Sequence, residues 1–229
     1  MRILLLIGAL LWAAHAMAAE PPSRIEMSFR IQTGSITLGE GRDVLEHDGK
    51  RYRVISESSP TGIASLFIND IRRESSGVVT ETGLRPERFE EQGRKGGPRV
   101  AQFDWQAAKL TLINGESKET VALPPDTMDQ ASLPYAFAFF PQTSDSFEVH
   151  VTDGRRLTQY RYRVLGKETL KTPLGEIKTI HIEKVRAPDD KRGFEFWLAV
   201  DRHYLPVKLR YVEKDGRAFD SDITRIDIN

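Results

Sequence analysis

The sequence predicts an antiparallel β-sheet curled into a barrel, or half-open barrel, around one short inner helix. Three observations predict it. Apolar and polar residues alternate over many short segments, the period of a strand with one face in the core and one in water. Asp48-Gly49, Asn114-Gly115, Asp153-Gly154 and Asp215-Gly216 punctuate those segments, and such dipeptides make hairpin turns. One stretch breaks the alternation: residues 126–141, DTMDQASLPYAFAFFP, form the only segment that looks helical. From Leu133 it is apolar all round, with Leu133, Ala136, Phe137 and Phe140 on one helical face and Tyr135, Ala138 and Phe139 covering the others. A helix without a polar face belongs in the interior, where each large side chain gains roughly 2 kcal/mol by leaving water. The strands should therefore wrap around this segment as an inner plug. One-sided strands in such number must curl to hide their apolar face, in about ten to twelve strands.

Taken in order, residues 24–31 alternate cleanly, with Ile25, Met27, Phe29 and Ile31 on one side and Arg24, Glu26, Ser28 and Arg30 on the other. Gly34 turns the chain into a second strand through Ile36, Leu38 and Leu45, and Gly39 and Gly41 within it mark a bulge or bend. Residues 52–58 return after Asp48-Gly49. Residues 63–74 read mostly as strand, with 63–68 ambiguous between strand and a turn of helix. Residues 77–81 follow, then a turn at Gly83-Leu84-Arg85-Pro86, then 87–92. The run 93–98, GRKGGP, is a basic loop tip. Residues 100–105, 110–113 and 120–123 complete the strands before the plug. Beyond it the alternation returns in 147–151, 160–164, 177–184, 194–200, 207–211 and 223–228. The chain shows no repeat of fixed period and no dividing linker, so residues 20–229 read as one domain.

Residues 1–19 read as a secretory signal peptide. Arg2 supplies the positive start, residues 3–12 an apolar run, and Ala14, Ala16, Ala18 and Ala19 the small residues for cleavage. The apolar run is about half the roughly twenty residues a membrane span needs, and no later stretch approaches that length. The mature chain is thus expected to be soluble and without a transmembrane segment, in the periplasm or fully secreted. It has no Cys for a disulfide or a lipid anchor, and roughly 210 residues can bury a sizeable core unaided. Lys plus Arg equals Asp plus Glu at 33 each, and losing Arg2 leaves 32 against 33. That balance argues against nucleic acid or an anionic membrane as an obligatory partner.

Several segments together carry a family resemblance. They are Phe103-Asp104-Trp105; Leu123-Pro124-Pro125-Asp126 with Asp129 and Ser132; Val164-Leu165-Gly166-Lys167-Glu168 leading to Thr172-Pro173-Leu174-Gly175; and Trp197-Leu198-Ala199-Val200-Asp201 before Leu205-Pro206-Val207. In this order and spacing the chain resembles the bacterial exported family catalogued as domain of unknown function 3108, over nearly all of its mature length. The resemblance implies a curved antiparallel sheet in the cell envelope and no activity. By shape such sheets are similar to lipoprotein carriers, an analogy of fold.

Catalytic signatures are sparse. There is no Gly-x-Ser-x-Gly elbow and no thiol. Ser132 and Asp129 could be imagined in a triad, but Ser132 before Leu133-Pro134 suits a helix N-cap, with Asp126 or Asp129 capping the turn before it. His181 and Glu183 share a strand face, short of the three or four ligands of a zinc site. No metal or cofactor is expected. Asp201-Arg202-His203-Tyr204 places a carboxylate, an imidazole and a phenol in one turn, readable as acid–base chemistry or as an Asx-turn with Tyr204 packed on Pro206. The basic loop 94–99 could meet an anionic headgroup or glycan, or simply be a soluble tip.

What remains is the apolar interior. Tyr135, Phe137, Phe139, Phe140 and Trp197 either complete a filled core or line a pocket for an apolar small molecule or lipid. The reading favoured is a non-catalytic module that binds an apolar or amphiphilic envelope molecule in the concave face. The alternatives are an envelope scaffolding protein and, behind it, a hydrolase using Asp201 and His203.

Overall fold

The computed structural model describes residues 21–67, 69–94, 96–139, 144–187 and 190–229. The signal peptide read at residues 1–19 and the Phe140 assigned to the plug lie outside them.

The first arm is a meander of eight strands: β1 (Arg24–Thr33), β2 (Ile36–His47), β3 (Arg51–Pro60), β4 (Ile71–Thr80), β5 (Gly83–Gln92), β6 (Arg99–Asp104), β7 (Lys109–Asn114) and β8 (Ser117–Ala122). The chain then crosses the interior as β9 (Thr127–Asp129) and the helix α1 (Leu133–Phe139). A second meander follows: β10 (Ser146–Thr152), β11 (Leu157–Thr172), β12 (Gly175–Lys184), β13 (Gly193–Ala199), β14 (Leu205–Val212) and β15 (Ala218–Ile228). Among the described residues all fifteen strands belong to one sheet, in the order β8 to β1, then β15 down to β9. Each strand is antiparallel to its neighbours, except that β9 runs parallel to β10. The arms meet where β1 pairs with β15, Ile25 opposite Ile228.

The sheet curls without closing, and this explains why fifteen strands stand where about ten to twelve were expected. A closed barrel ties strand number to bore, whereas an open curl extends at both edges. α1 packs between β5 and β14, with Leu133, Pro134, Tyr135, Phe137 and Ala138 buried. Phe137 sits 5.3 Å from the Phe196 ring and 5.7 Å from that of Phe147. The aromatic run thus forms the inner plug that its lack of a polar face required. A second core of Phe89, Ala101, Phe103, Leu110 and Leu112 lies within the first arm. On the other side of the sheet, cross-strand ion pairs such as Arg53–Glu74 and Arg42–Glu26 occupy the polar positions of the alternation.

Three local expectations are corrected. Residues 63–67 are not strand: Gly62–Leu66 is a 3-10 turn that leaves Ile63, Leu66 and Phe67 exposed, and β4 begins only at Ile71. The ambiguity arose because these apolar side chains face water and so obey no sheet period. Residues 83–86 are not the turn, because β5 starts at Gly83 and Pro86 lies opposite Gly77 at a bulge. A strand tolerates proline at a bulge because the ladder is already interrupted there. Finally, among the described residues of the stretch 126–141 helix occupies only Leu133–Phe139, and Thr127–Asp129 is a strand on β10.

Candidate functional site

Three buried carboxylates project from, or toward, the chain that crosses the interior. Asp43 of β2 accepts the phenol O–H of Tyr135 in α1. Asp129, at the end of β9, accepts the backbone N–H groups of Ala131 at 2.9 Å and Ser132 at 2.8 Å through Oδ1. Its Oδ2 accepts the Ser75 hydroxyl of β4 at 2.6 Å, and Ser75 Oγ lies 3.0 Å from the Tyr52 hydroxyl. Glu91 of β5 accepts Gln130 Nε2 at 3.2 Å. The plug is therefore tied to β2, β4 and β5 by polar bonds as well as by apolar packing.

The electrostatics of the three differ. Burial raises the Asp43 carboxyl above the ordinary range, with the Tyr135 and Ser56 hydrogen bonds opposing. Burial likewise raises Asp129 to about 6, against the donors from Ser75, Ser132 and Ala131. Burial pushes Glu91 upward too, but Arg73 and Arg94 outweigh it and hold this carboxyl below its usual value. Arg73 Nε, Arg94 Nε and Arg99 Nη1 reach Glu91 at 2.7, 2.5 and 3.1 Å.

Beside α1 lies a cavity of about 520 Å³. Tyr135, Tyr160, Tyr162, Phe194 and Phe219 form its aromatic wall. Two groups of cations also line it. Arg73, Arg94 and Arg99 stand with Arg155 and Arg156 of the β10–β11 turn. That turn is pressed against β6, where a side chain on Gly154 would meet Arg99 Cβ at 2.9 Å. Lys184 and Arg192 make the second group and share Asp190, at 2.8 and 3.2 Å. Hydrogen bonds from Lys184 and Arg192 keep the Asp190 carboxyl well below the carboxylate range.

Of the pocket residues expected from sequence, Tyr135 lines this cavity. Phe137 packs into the core on Phe196 and Phe147. Phe139 is half-buried with its ring 4.8 Å from His47. Trp197 does not border the cavity: its ring stacks on His181 at 4.1 Å and its N–H donates to Glu168. His181 Nε2 lies 2.8 Å from Glu195 and Nδ1 3.3 Å from Glu168, while Glu183 pairs with Arg163 instead. Among the described residues no group of three or more His, Asp or Glu could hold a metal ion. Asp201 and His203 fall in the β13–β14 turn and share no hydrogen bond among the described residues; His203 and Tyr204 both have left-handed φ of 52°. Asp129, not Ser132, carries the two side-chain bonds that hold the turn before α1.

Sequence reasoning missed Asp43, Ser75 and Glu91. A signal existed for two of them. Asp43 is in phase with inward Leu45, and Glu91 with inward Phe89, so each was a carboxylate on the apolar side of its strand.

A family model described as a protein of unknown function, DUF3108, matches residues 26–224. No curated protein matches the sequence. Among solved structures, the β-barrel-like DUF1849 protein of Brucella abortus is similar with a TM-score of 0.60 at 9% identity, over 92% of this chain and 100% of that one. A candidate lipoprotein of Parabacteroides distasonis gives 0.41 at 10% identity, over 90% of this chain and 97% of that one. The MucA/MucB complex of Pseudomonas aeruginosa gives 0.37 at 13% identity, over 89% of this chain and 51% of that one. The likeness to the Brucella abortus protein is one of fold.

Proposed function

As the chain belongs to the DUF3108 family of proteins of unknown function, we propose from its cavity that it is a non-catalytic binding module of the cell envelope, holding an apolar or amphiphilic molecule in the concave face of the sheet. The observation that supports this reading is the aromatic-walled space of about 520 Å³ beside α1. That size falls within the roughly 300–1,000 Å³ of small-molecule sites, which combine apolar walls with a few placed polar groups. Export rests on the leader read at residues 1–19, with the periplasm as destination.

Native mass spectrometry of protein released from periplasm without detergent tests the reading. A discrete added mass that disappears on organic extraction is expected. A bare polypeptide mass, together with no uptake of a fluorescent apolar probe, would remove the proposal.

A further inference from the structure

The cavity carries more positive charge than the rest of the molecule leads one to expect. The full chain balances at 33 basic and 33 acidic residues, and many cations of the outer sheet face sit on carboxylates, as in Arg53–Glu74 and Arg210–Asp220. Within the cavity the second cation group follows that habit, since Asp190 serves Lys184 and Arg192. The arginine group does not. Five guanidiniums, of Arg73, Arg94, Arg99, Arg155 and Arg156, stand against Glu91, Asp153 and Asp43, so cations outnumber carboxylates by two.

The donors point the same way. A guanidinium offers five N–H donors. Glu91 engages Nε of Arg73, Nε of Arg94 and Nη1 of Arg99. Asp153 accepts the backbone N–H of Arg155 and Arg156, both at 3.0 Å, not their side chains. Among the described residues no carboxylate lies within ion-pair reach of either guanidinium. Glu91 itself is wholly buried, so it gathers three arginines from behind without occupying the cavity. Forked donors around an apolar chamber suit an oxyanion, which takes two parallel hydrogen bonds from each fork.

We propose, resting on the binding-module reading above, that the cavity takes an amphiphile with an anionic headgroup, a phosphate, sulfate or carboxylate. The headgroup sits among Arg94, Arg99, Arg155 and Arg156, and the apolar portion lies along Tyr160, Tyr162 and Phe194. Charge complementarity selects this occupant: a neutral lipid would leave the arginine excess unanswered, and a cationic one would be repelled.

Isothermal titration of the full mature chain with dodecyl phosphate, dodecyl maltoside and inorganic phosphate, each below any micelle threshold, tests this. The same titrations on the R155E/R156E double variant complete the set; both positions lie in a turn, and an unchanged melting temperature verifies its fold. Dodecyl phosphate should bind about tenfold or more tighter than the maltoside, the scale of one hydrogen bond to a charged group. The double variant should lose that preference. Equal binding of both detergents, or a preference untouched by the variant, overturns the headgroup assignment and leaves the binding module standing. Binding of neither detergent removes the module itself. Inorganic phosphate binding as tightly as dodecyl phosphate also overturns the proposal, because the site would then read a bare anion.

Discussion

Asp129→Asn isolates the most consequential of the buried carboxylates. The folded protein holds the Asp129 carboxyl at about 6 against an ordinary 3.8, so folding favours its protonated form. That contribution is complete below the unfolded pKa and disappears as pH rises through 6. The shift corresponds to about 3 kcal/mol of stability, of which about 2 kcal/mol is lost between pH 4.5 and 7.5. Asparagine keeps an oxygen for the Ala131 and Ser132 N–H groups but cannot ionise. Glu91 and Glu74, whose carboxyls are held low, act with the opposite sign, losing stability as pH falls; they are common to both proteins and cancel in the difference. Urea unfolding of wild type and D129N at pH 4.5 and 7.5 measures it. The variant should gain on the wild type by about 2 kcal/mol between the two pH values, whatever its absolute stability. Parallel stability profiles would show that Asp129 ionises as freely folded as unfolded, and the buried-carboxylate account of the plug would fail with them.

Tyr135→Phe strips the donor from buried Asp43 and should cost about 1–3 kcal/mol in denaturant unfolding, the range for a buried polar group left short of a partner. Glu91→Gln leaves Arg73, Arg94 and Arg99 without their shared anion. Because those guanidiniums are partly exposed, a loss of about 2 kcal/mol is expected in the same assay, below the 3–5 of a fully buried pair. Gly154→Ala places a Cβ 2.9 Å from Arg99 Cβ at a φ of +77°. It should lower stability by about 1–2 kcal/mol from the left-handed backbone alone, and crystallography should find the β10–β11 turn displaced from β6.

Most of the fold was legible because its information is local. The two-residue period in β1, β10 and β13 and the four Asp-Gly or Asn-Gly turns each report on their own neighbourhood. Legibility failed where distant contacts overrule local pattern: Pro86 enters a strand only because Gly77 opposite it makes a bulge, and Thr127–Asp129 is extended only because β10 lies beside it. The site follows the same division. Tyr135 could be named as an interior aromatic, but its partner Asp43 is 92 positions away. Ser75 likewise meets Asp129 across 54 positions, a distance over which no spacing rule operates. The basic loop at 94–99 was noticed, while Arg155 and Arg156, which join it through a tertiary contact of the next arm, were not.

The pairing of β1 with β15 has a consequence for how the molecule comes into being. Gln32 Nε2 donates to Asp222 at 2.9 Å across 190 positions, so the middle of the sheet is its most non-local part, while β1 to β8 and β10 to β15 each pair through successive hairpins. Contacts so far apart in sequence are slow to find, because chain closure must precede any reward. A growing or translocating chain can therefore assemble its margins early, but its centre must wait for residues 218–228. Until then the two hairpin arrays lack the pairing that makes them one sheet, and the chamber lined from both arms is incomplete.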